Sequence, residues 1–200
     1  NFNLNKKQIT ILELAPFQKK NSVPINKKKN YLFVGTIEPR KNLENLILAY
    51  SKIPKKMKDK HKLFIVGKYG WGENNLKLTI KNLEVRKNIK IFKNINDKKL
   101  ARLYSTSKYL IFPSIYEGFG LPIIESINAS TPVICSNFDP MKTNSKNCAL
   151  LFNPFSVGSI ANSIKRSENP NLYKILYKNC INKNFSSWDD FVENLIKVLN

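Results

Sequence analysis

Histidine, cysteine and arginine are scarce in this sequence of 200 residues. With one histidine, His61, the chain cannot form a catalytic histidine pair or a metal cluster built on histidines. The three cysteines are odd in number and widely spaced, which indicates reduced, buried thiols rather than a disulfide framework. An Asp-x-Asp metal motif is also missing. We therefore expect no metal site and a protein of a reducing compartment.

Long apolar runs are absent as well. No stretch approaches the ~18 apolar residues that a membrane-spanning helix requires, and no secretory signal opens the chain. Together with the reduced thiols, this pattern predicts a soluble, cytoplasmic protein that is at most peripheral to a membrane.

Lysine is abundant, and the 34 basic and 14 acidic residues give a formal net charge of +20. Such a charge favours encounter with phosphates, nucleic acids or anionic lipids. The lysines are spread along the chain together with many asparagines and isoleucines, which AT-rich codons favour. A solvated basic surface that reflects genomic bias and a dedicated polyanion site both remain open. The scarcity of arginine argues against sequence-specific binding of nucleic acid.

Short apolar runs alternate with helix-like segments, a pattern that predicts an α/β fold with a doubly wound parallel sheet. The predicted strands are Tyr31–Val34, Lys62–Val66, Ile89–Phe92, Tyr109–Phe112, Pro132–Cys135 and Cys148–Phe152, with a further short one over Gln8–Leu14. Helices are predicted after Asn42 as an N-cap, after Asn96 or Asp97, from Leu121, and over Glu73–Arg86, Ser156–Ser167, Asn171–Asn182 and Phe185–Leu199. Six of the seven glycines follow strands, which predicts a binding edge along one rim of the sheet.

The stretch Pro113–Glu125 joins a strand to a helix through a glycine-bearing loop. The N-terminus of that helix has unpaired N–H groups and a partial positive charge, both of which suit a phosphate. Gly118 and Gly120 let a ligand approach the backbone closely. The carboxylates of Glu117 and Glu125 would repel a phosphate but accept hydrogen bonds from sugar hydroxyls. The stretch predicts a ligand with phosphate and polyol character, although two solvated surface glutamates are the simpler alternative.

The same stretch resembles a known signature. The sequence Glu117-Gly-Phe-Gly-Leu-Pro-Ile-Ile-Glu125, followed by Ala129-Ser-Thr-Pro-Val-Ile134, is similar to the motif of retaining glycosyltransferase family 4. Members have the GT-B fold, which consists of two Rossmann-like domains, and 200 residues suffice for one of them. The resemblance implies the C-terminal half, with residues 31–200 as a Rossmann-like nucleotide-sugar-binding domain that includes the C-terminal helices. Residues 1–30 would be the remnant of a linker or hinge.

A second segment, Gly35-Thr-Ile-Glu-Pro-Arg-Lys-Asn42, resembles the part of the family that holds the donor diphosphate. It follows a predicted strand, at the edge where open α/β sheets bind ligands. Thr36 stands where many members carry arginine, so Arg40 and Lys41 would supply the positive charge. From spacing alone, two ordinary surface cations are an equal alternative.

The resemblance implies a role for each site residue. Arg40 and Lys41 would neutralise the diphosphate with help from backbone amides of the glycine loop, Glu117 would bind hydroxyls of the donor sugar, and Glu125 would bind the ribose. The base would rest against residues 92–95, although members often have glycine at the position of Asn94. In chain order, the implied donor site is Gly35, Arg40, Lys41, Phe92, Ile95, Glu117, Gly118, Phe119, Gly120, Leu121 and Glu125.

These features predict transfer of a hexose from a nucleotide-diphosphate sugar to a glycan or a lipid-linked acceptor, without a metal or other cofactor. The segment Gly35–Asn42 is similar to that of mannosyl- and rhamnosyl-transferring members, which favours a GDP-linked donor. The partner would be an N-terminal acceptor-binding domain, missing here or on another chain, so these residues alone are expected to be inactive. The alternatives are a non-catalytic nucleotide-sugar-binding module and a module that binds polyanions or an anionic membrane.

Overall fold

A six-stranded parallel sheet forms the centre of the computed structural model, which describes residues 10, 12–68, 70, 80, 83 and 85–199. The strands are β1 (Tyr31–Val34), β2 (Leu63–Val66), β3 (Ile89–Phe92), β4 (Tyr109–Phe112), β5 (Val133–Ser136) and β6 (Ala149–Phe152). Their order across the sheet is β3-β2-β1-β4-β5-β6, and every neighbouring pair is parallel. This is the Rossmann-like order, and the chain changes direction across the sheet between β1 and β4.

The strands read as continuous apolar runs because both faces of the sheet are covered. On one face, Tyr31 and Phe33 pack in a core with Leu46 and Ile160; on the other, Leu32 packs in a core with residues of the helices that follow β3 and β4. All four residues of β4 and of β5 are buried. The predicted fold class, a doubly wound α/β sheet of about six strands, is therefore confirmed.

Eight α-helices are seen in the described part of the chain. They are α1 (Leu43–Ser51), α2 (Lys55–Lys60), α3 (Asp97–Thr106), α4 (Leu121–Asn128), α5 (Met141–Asn144), α6 (Val157–Arg166), α7 (Pro170–Asn182) and α8 (Trp188–Leu199). Short 3-10 helices span Ile25–Lys27, Pro39–Lys41 and Arg86–Asn88. Among the residues described, none of these helices has the length and apolar character to cross a lipid bilayer.

Helix caps explain where several helices begin. Asn96 accepts a hydrogen bond from the Lys99 N–H at 2.9 Å, and Ser156 and Asn169 cap α6 and α7 in the same way. Asn42 stands at the N-cap position of α1, but its side chain does not cap the helix. It adopts a left-handed conformation with φ 56° and donates instead to the carbonyls of Pro113 and Pro154. The predicted N-cap position of Asn42 is thus confirmed, although its side chain bridges neighbouring loops instead of capping the helix.

Two of the predicted elements lie largely outside the described residues, and two observed helices were not predicted. The helix predicted over Glu73–Arg86 lies largely outside the described residues, and so does most of the strand predicted over Gln8–Leu14, whose described residues 12–14 are not in a strand. The helices α2 and α5 were not predicted. Their short sequences, KKMKDK and MKTN, each carry a single apolar side chain and so show no helical periodicity.

Hydrogen bonds hold the segment before β1 against the rest of the domain. Lys28 is buried, and its ammonium donates to the Ser105 carbonyl at 2.6 Å and to the Thr131 hydroxyl at 2.7 Å. Burial lowers the pKa of Lys28 to about 8. Lys20 donates to the Lys183 carbonyl at 2.9 Å, close to the end of α7. Whether residues 1–30 form a linker stays a prediction, but Lys20 and Lys28 contact the domain that follows.

An ion cluster lies where the chain enters β2 and β4. Glu168, which follows α6, accepts a hydrogen bond from Lys60 at 2.9 Å, pairs with Lys108, and lies 3.0 Å from Nε2 of His61. His61 is buried, and burial together with the charge of Lys108 lowers its pKa. Burial alone would raise the pKa of Glu168, but the hydrogen bonds from Lys108 and Lys60 lower it to about 2.

We expect this cluster to make stability fall in acid. The pKa of Glu168 lies below its ordinary value of 4.5 in the folded state, so the stabilisation is present above pH 4.5 and is lost as the pH falls toward about 2. Glu168→Gln removes these ion pairs and should lower the free energy of unfolding at neutral pH. Because Glu168 is partly exposed, we expect a loss of about 2 kcal/mol, less than for a fully buried ion pair. Urea unfolding of both proteins from neutral pH to about pH 3 measures the difference. It should shrink with falling pH, whereas Glu193→Gln on the exposed face of α8 should match the unsubstituted protein throughout.

Candidate functional site

The loops that follow β1 and β4 meet at the carboxyl edge of the sheet, at the point where the strand order reverses. Open α/β sheets bind ligands in this crevice. Backbone and side-chain hydrogen bonds join the two loops. The Ile115 N–H donates to the Arg40 carbonyl at 2.9 Å, and the Asn42 amide donates to the Pro113 carbonyl at 3.1 Å. The two loops therefore form one wall, as the sequence predicted for the segments that carry Arg40 and Glu117.

Three of the predicted site residues are in direct contact there. Glu117 binds two cations with its two carboxylate oxygens: Oε1 lies 2.5 Å from Nζ of Lys41, and Oε2 lies 2.9 Å from the Arg40 guanidinium. Arg40 also pairs with Glu38 at 2.7 Å and donates to the Tyr116 carbonyl at 3.3 Å. Lys41 further lies 5.2 Å from the centre of the Phe112 ring. The alternative of two ordinary surface cations does not describe this arrangement.

Burial differs among the three side chains. The Lys41 side chain is 9% exposed and that of Glu117 8% exposed, whereas the Arg40 side chain is 45% exposed. Burial alone would raise the pKa of Glu117, but hydrogen bonds from Lys41 and Arg40 lower it below its ordinary value. Glu117 is therefore ionised at neutral pH. With Glu38, the two cations face two carboxylates, so the charges of this cluster balance in the absence of a ligand.

Gly35 and Gly67 allow the loops after β1 and β2 to touch. A Cβ atom on Gly67 would lie 1.9 Å from the Gly35 carbonyl oxygen, a distance that no side chain tolerates. Gly35 has a φ of 153°, and the side chain of Lys41 passes 3.5 Å from where its Cβ would stand. This close packing brings the Lys41 ammonium to Glu117.

The glycine loop before α4 presents backbone donors to the crevice. Gly120 stands at the N-cap of α4 with φ 84°, a left-handed conformation that glycine adopts without strain. In the described part of the chain, the N–H groups of Phe119, Gly120 and Leu121 donate no hydrogen bond. Pro122 has no N–H, and the Ile123 N–H already bonds to the Gly120 carbonyl at 2.9 Å. The three amides that the sequence analysis assigned to the diphosphate are thus among the unpartnered donors of this loop.

Gly118 stands next to these amides in open space. A Cβ atom built on it would meet no heavy atom within 4 Å, and its own conformation demands no glycine. The packing of the domain therefore does not explain why residue 118 is a glycine. Close approach of a ligand to this loop would explain it.

Glu125 lies apart from the Arg40, Lys41 and Glu117 cluster. It is half-buried within α4 and accepts a hydrogen bond from the Tyr104 hydroxyl at 2.7 Å. Burial and the nearby Asp97 raise the pKa of Glu125, against the effect of that hydrogen bond. Among the described residues, Glu125 shares no hydrogen bond or ion pair with the other three. The structure thus brings together three of the four charged site residues and places the fourth against α3.

The residues predicted to contact a base lie after β3. Phe92 and Ile95 are both half-buried, and the Phe92 ring packs edge-on against Phe64 at 5.3 Å. Asn94 has a φ of 50°. Asparagine tolerates this left-handed conformation better than most residues, and glycine adopts it freely. The departure from the glycine of many family members is therefore a conservative one.

Several residues of the site escaped the sequence analysis. Tyr104 binds Glu125 across 21 positions of the chain, and Asn144 of α5 donates to the Phe119 carbonyl at 2.5 Å. Asn42 ties the loops after β1, β4 and β6 together. Tyr104 gave no signal beyond its place in an apolar helical face, and Asn144 gave none. The asparagine at residue 42, between a lysine and a helix, suggested a cap rather than a bridge.

The chain is similar to known proteins both in sequence and in structure. The family described as "Glycosyl transferases group 1" matches residues 16–187. The serotype-specific mannosyltransferase WbdA of Escherichia coli is 34% identical over 176 residues, which are 85% of this chain but 21% of that protein. The crystal structure of WaaG, a glycosyltransferase involved in lipopolysaccharide biosynthesis, has a TM-score of 0.80 at 19% identity and covers 98% of this chain and 58% of that one.

A third similar structure is that of Alr3699/HepE from Anabaena in complex with UDP, with a TM-score of 0.73 at 17% identity over 88% of this chain and 49% of that one. The chain spans less than two thirds of each of these three proteins. At such identities the two structures establish the fold alone, which is that of a Rossmann-like domain of the GT-B type. The family match covers most of the sequence, and the chain belongs to the group 1 family of glycosyl transferases.

Proposed function

We propose that this chain is the C-terminal, donor-binding domain of a retaining glycosyltransferase of family 4. It binds a nucleotide-diphosphate sugar and presents the hexose to a glycan or a lipid-linked acceptor. The acceptor is held by an N-terminal domain of the GT-B type, on another part of the protein or on a separate chain. The similarity to a mannosyltransferase supports mannose as the sugar, and the resemblance of the segment Gly35–Asn42 favours GDP as the nucleotide.

One observation carries the proposal. Arg40 and Lys41 converge on Glu117, next to three amides that donate no hydrogen bond among the residues described. Phosphate oxygens need such donors, because amides at a helix N-terminus and charged side chains both bind anions strongly. Carboxylates, in contrast, suit sugar hydroxyls. A crevice that offers cations, free amides and an ionised carboxylate matches a ligand that joins a diphosphate to a sugar.

The chemistry of transfer assigns the cations to the leaving group. When the bond between the sugar and the diphosphate breaks, negative charge accumulates on the diphosphate. Arg40, Lys41 and the amides of residues 119–121 stabilise that charge where it develops, so they act chiefly in the transition state. Arg40 is the more exposed cation and can turn from Glu38 toward the ligand. The donor set needs no metal for this step.

Glu117 is assigned to the hydroxyls of the donor sugar rather than to a covalent intermediate. Both of its oxygens are bound by cations, which lowers its pKa and weakens it as a nucleophile. Each carboxylate oxygen accepts more than one hydrogen bond, so a sugar hydroxyl can still bind. Glu125 is assigned to the ribose and the Phe92–Ile95 segment to the base.

This domain alone is expected to bind the donor without transferring the sugar, because transfer requires an acceptor held on the opposite side of the crevice. Thermal unfolding with GDP, UDP, ADP and dTDP tests the donor. The nucleotide that binds should raise the melting temperature in proportion to RT ln(1 + [L]/Kd). Absence of a shift with all four would contradict the proposal, and a shift with UDP alone would correct the nucleotide. Turnover by the isolated domain would refute its predicted inactivity.

Glu117→Ala separates the sugar from the nucleotide. The variant should bind GDP at least as tightly as the unsubstituted protein, because Arg40 and Lys41 lose their competing carboxylate. It should lose the additional affinity that GDP-mannose has over GDP, which we expect to be about 10-fold or more for hydroxyl hydrogen bonds to a charged group. Calorimetry of both ligands measures the ratio, with Glu193→Ala on α8 as the control. An unchanged ratio in Glu117→Ala would remove the sugar role of this residue.

A further inference from the structure

The edge of the sheet opposite the candidate site is strongly basic. The chain enters β1, β2 and β3 there, through segments 27–30, 55–62 and 86–88. Six exposed cationic side chains in these segments form no ion pair within the described part of the chain. These six, which we name the amino-edge basic patch, are Lys27, Lys29, Lys56, Lys62, Arg86 and Lys87.

The three segments form one continuous surface. The strands β1, β2 and β3 are neighbours in register, and adjacent strands lie about 4.8 Å apart. Hydrogen bonds also connect the segments directly. The Lys62 N–H donates to the Asn30 side chain at 3.0 Å, Nδ1 of His61 lies 2.6 Å from the Lys29 carbonyl oxygen, and the Asn88 amide donates to the Lys58 carbonyl at 3.1 Å. The six cations therefore belong to a single patch, not to three separate loops.

Among the described residues, the carboxylates at this edge are those of Asp59 and Glu168, and neither forms an ion pair with the six cations. The three segments contain one acidic residue, Asp59, whose carboxylate pairs with Lys55 at 2.7 Å. Glu168 reaches the same edge from α6 but pairs with Lys60 and Lys108. The buried Lys28 lies beneath the patch and adds to its positive potential at neutral pH. Dense, unpaired cations repel one another, so an anionic partner would be attracted to this edge in particular.

We propose that the amino-edge basic patch binds the anionic surface of a lipid membrane. Five of its six cations are lysines, which act as point charges toward a diffuse negative surface, whereas nucleic-acid recognition prefers arginine forks and aromatic stacking. None of the large apolar side chains exposed in the described chain lies in the three segments. The attachment is therefore electrostatic and reversible, with no insertion into the bilayer.

The patch and the candidate donor site can be occupied together. Each of the strands β1, β2 and β3 has four residues, so about 10 Å or more separates the two edges of the sheet. Attachment through the amino edge leaves the carboxyl edge, with Arg40 and Glu117, facing away from the lipid. The inference thus stands independently of the identity of the donor.

Co-sedimentation with vesicles tests it. The unsubstituted chain should bind vesicles of phosphatidylcholine that contain about one third phosphatidylglycerol, fail to bind pure phosphatidylcholine, and lose binding steeply between about 50 and about 200 mM salt. The triple variant Lys56→Gln, Lys62→Gln and Lys87→Gln should bind at least about 10-fold more weakly, since each lysine near the surface contributes about fivefold. A control with the same loss of charge replaces Lys174, Lys178 and Lys197, which are exposed on α7 and α8.

Each other outcome would overturn the inference. Equal weakening of the two triple variants would show that net charge, and not the patch, attracts the vesicles. Absence of binding at low salt would exclude membrane attachment of this chain. Tighter binding of duplex DNA or single-stranded RNA than of the anionic vesicles would assign the patch to nucleic acid. Thermal unfolding of both variants verifies that they remain folded, and GDP binding by the patch variant should equal that of the control.

Discussion

Replacing Gly67 with alanine is expected to destabilise the protein by about 3 kcal/mol or more. The new Cβ would stand 1.9 Å from the Gly35 carbonyl oxygen and 2.9 Å from its carbonyl carbon, and both belong to the backbone. Relief of the clash requires the loops after β1 and β2 to separate, which also displaces Lys41 from its position beside Gly35. Urea unfolding should therefore show a much lower midpoint, and GDP binding should weaken as well.

Gly118→Ala is the matched control for that substitution. Its Cβ would meet no heavy atom within 4 Å, so the free energy of unfolding should change by no more than about 0.5 kcal/mol. A Gly67→Ala protein as stable as the Gly118→Ala protein would show that the two loops do not pack as described. Because both variants add one methyl group to a glycine loop of the same sheet edge, the comparison isolates the backbone contact.

Lys41→Met should weaken binding of the preferred nucleotide diphosphate by about 10- to 100-fold, the value of a hydrogen bond to a charged group. Methionine keeps most of the length and volume of the buried side chain but removes the ammonium. Glu117 retains Arg40 as a partner at 2.9 Å, so the variant should remain folded. Calorimetry gives the affinity directly.

Lys178→Met on the exposed surface of α7 removes the same charge far from the crevice and should leave the affinity within about twofold. If Lys41→Met bound the nucleotide as tightly as Lys178→Met, the ammonium would not contact the diphosphate. The assignment of the segment Gly35–Asn42 would then have to be abandoned, although the fold would not be affected.

The sequence was sufficient for the strands because each is a local run of apolar residues. The bounds of β1, β3 and β4 match their predictions, β2 and β6 begin one residue later than predicted, and β5 is shifted by one residue at both ends. Helix α2 could not be predicted, since its six residues, four of them lysine, show no apolar periodicity. Local pattern thus specifies the central sheet, while short polar helices depend on what surrounds them.

The site was predictable as a set of segments but not as a set of contacts. Spacing and resemblance located Arg40, Lys41 and Glu117, yet the ion pairs between them join residues 76 and 77 positions apart. Nothing local indicates that one carboxylate would take both cations. The bond from Tyr104 to Glu125 is similarly a result of packing between α3 and α4. Pairings of this kind follow from topology, which a single sequence supplies only indirectly.

Glu117 is the counter-ion of both cations in the crevice, since its two carboxylate oxygens pair with Arg40 and Lys41. A free phosphate has to displace this carboxylate to reach Lys41, and its few hydroxyl groups compensate the displaced oxygens less well than the several hydroxyls of a sugar. A sugar nucleotide brings hydroxyls that compensate the carboxylate while its phosphates take over the cations. If the proposed sugar nucleotide binds here, selectivity rests on an exchange of partners rather than on long-range attraction, and we expect the crevice to discriminate against inorganic phosphate although the whole chain is highly cationic.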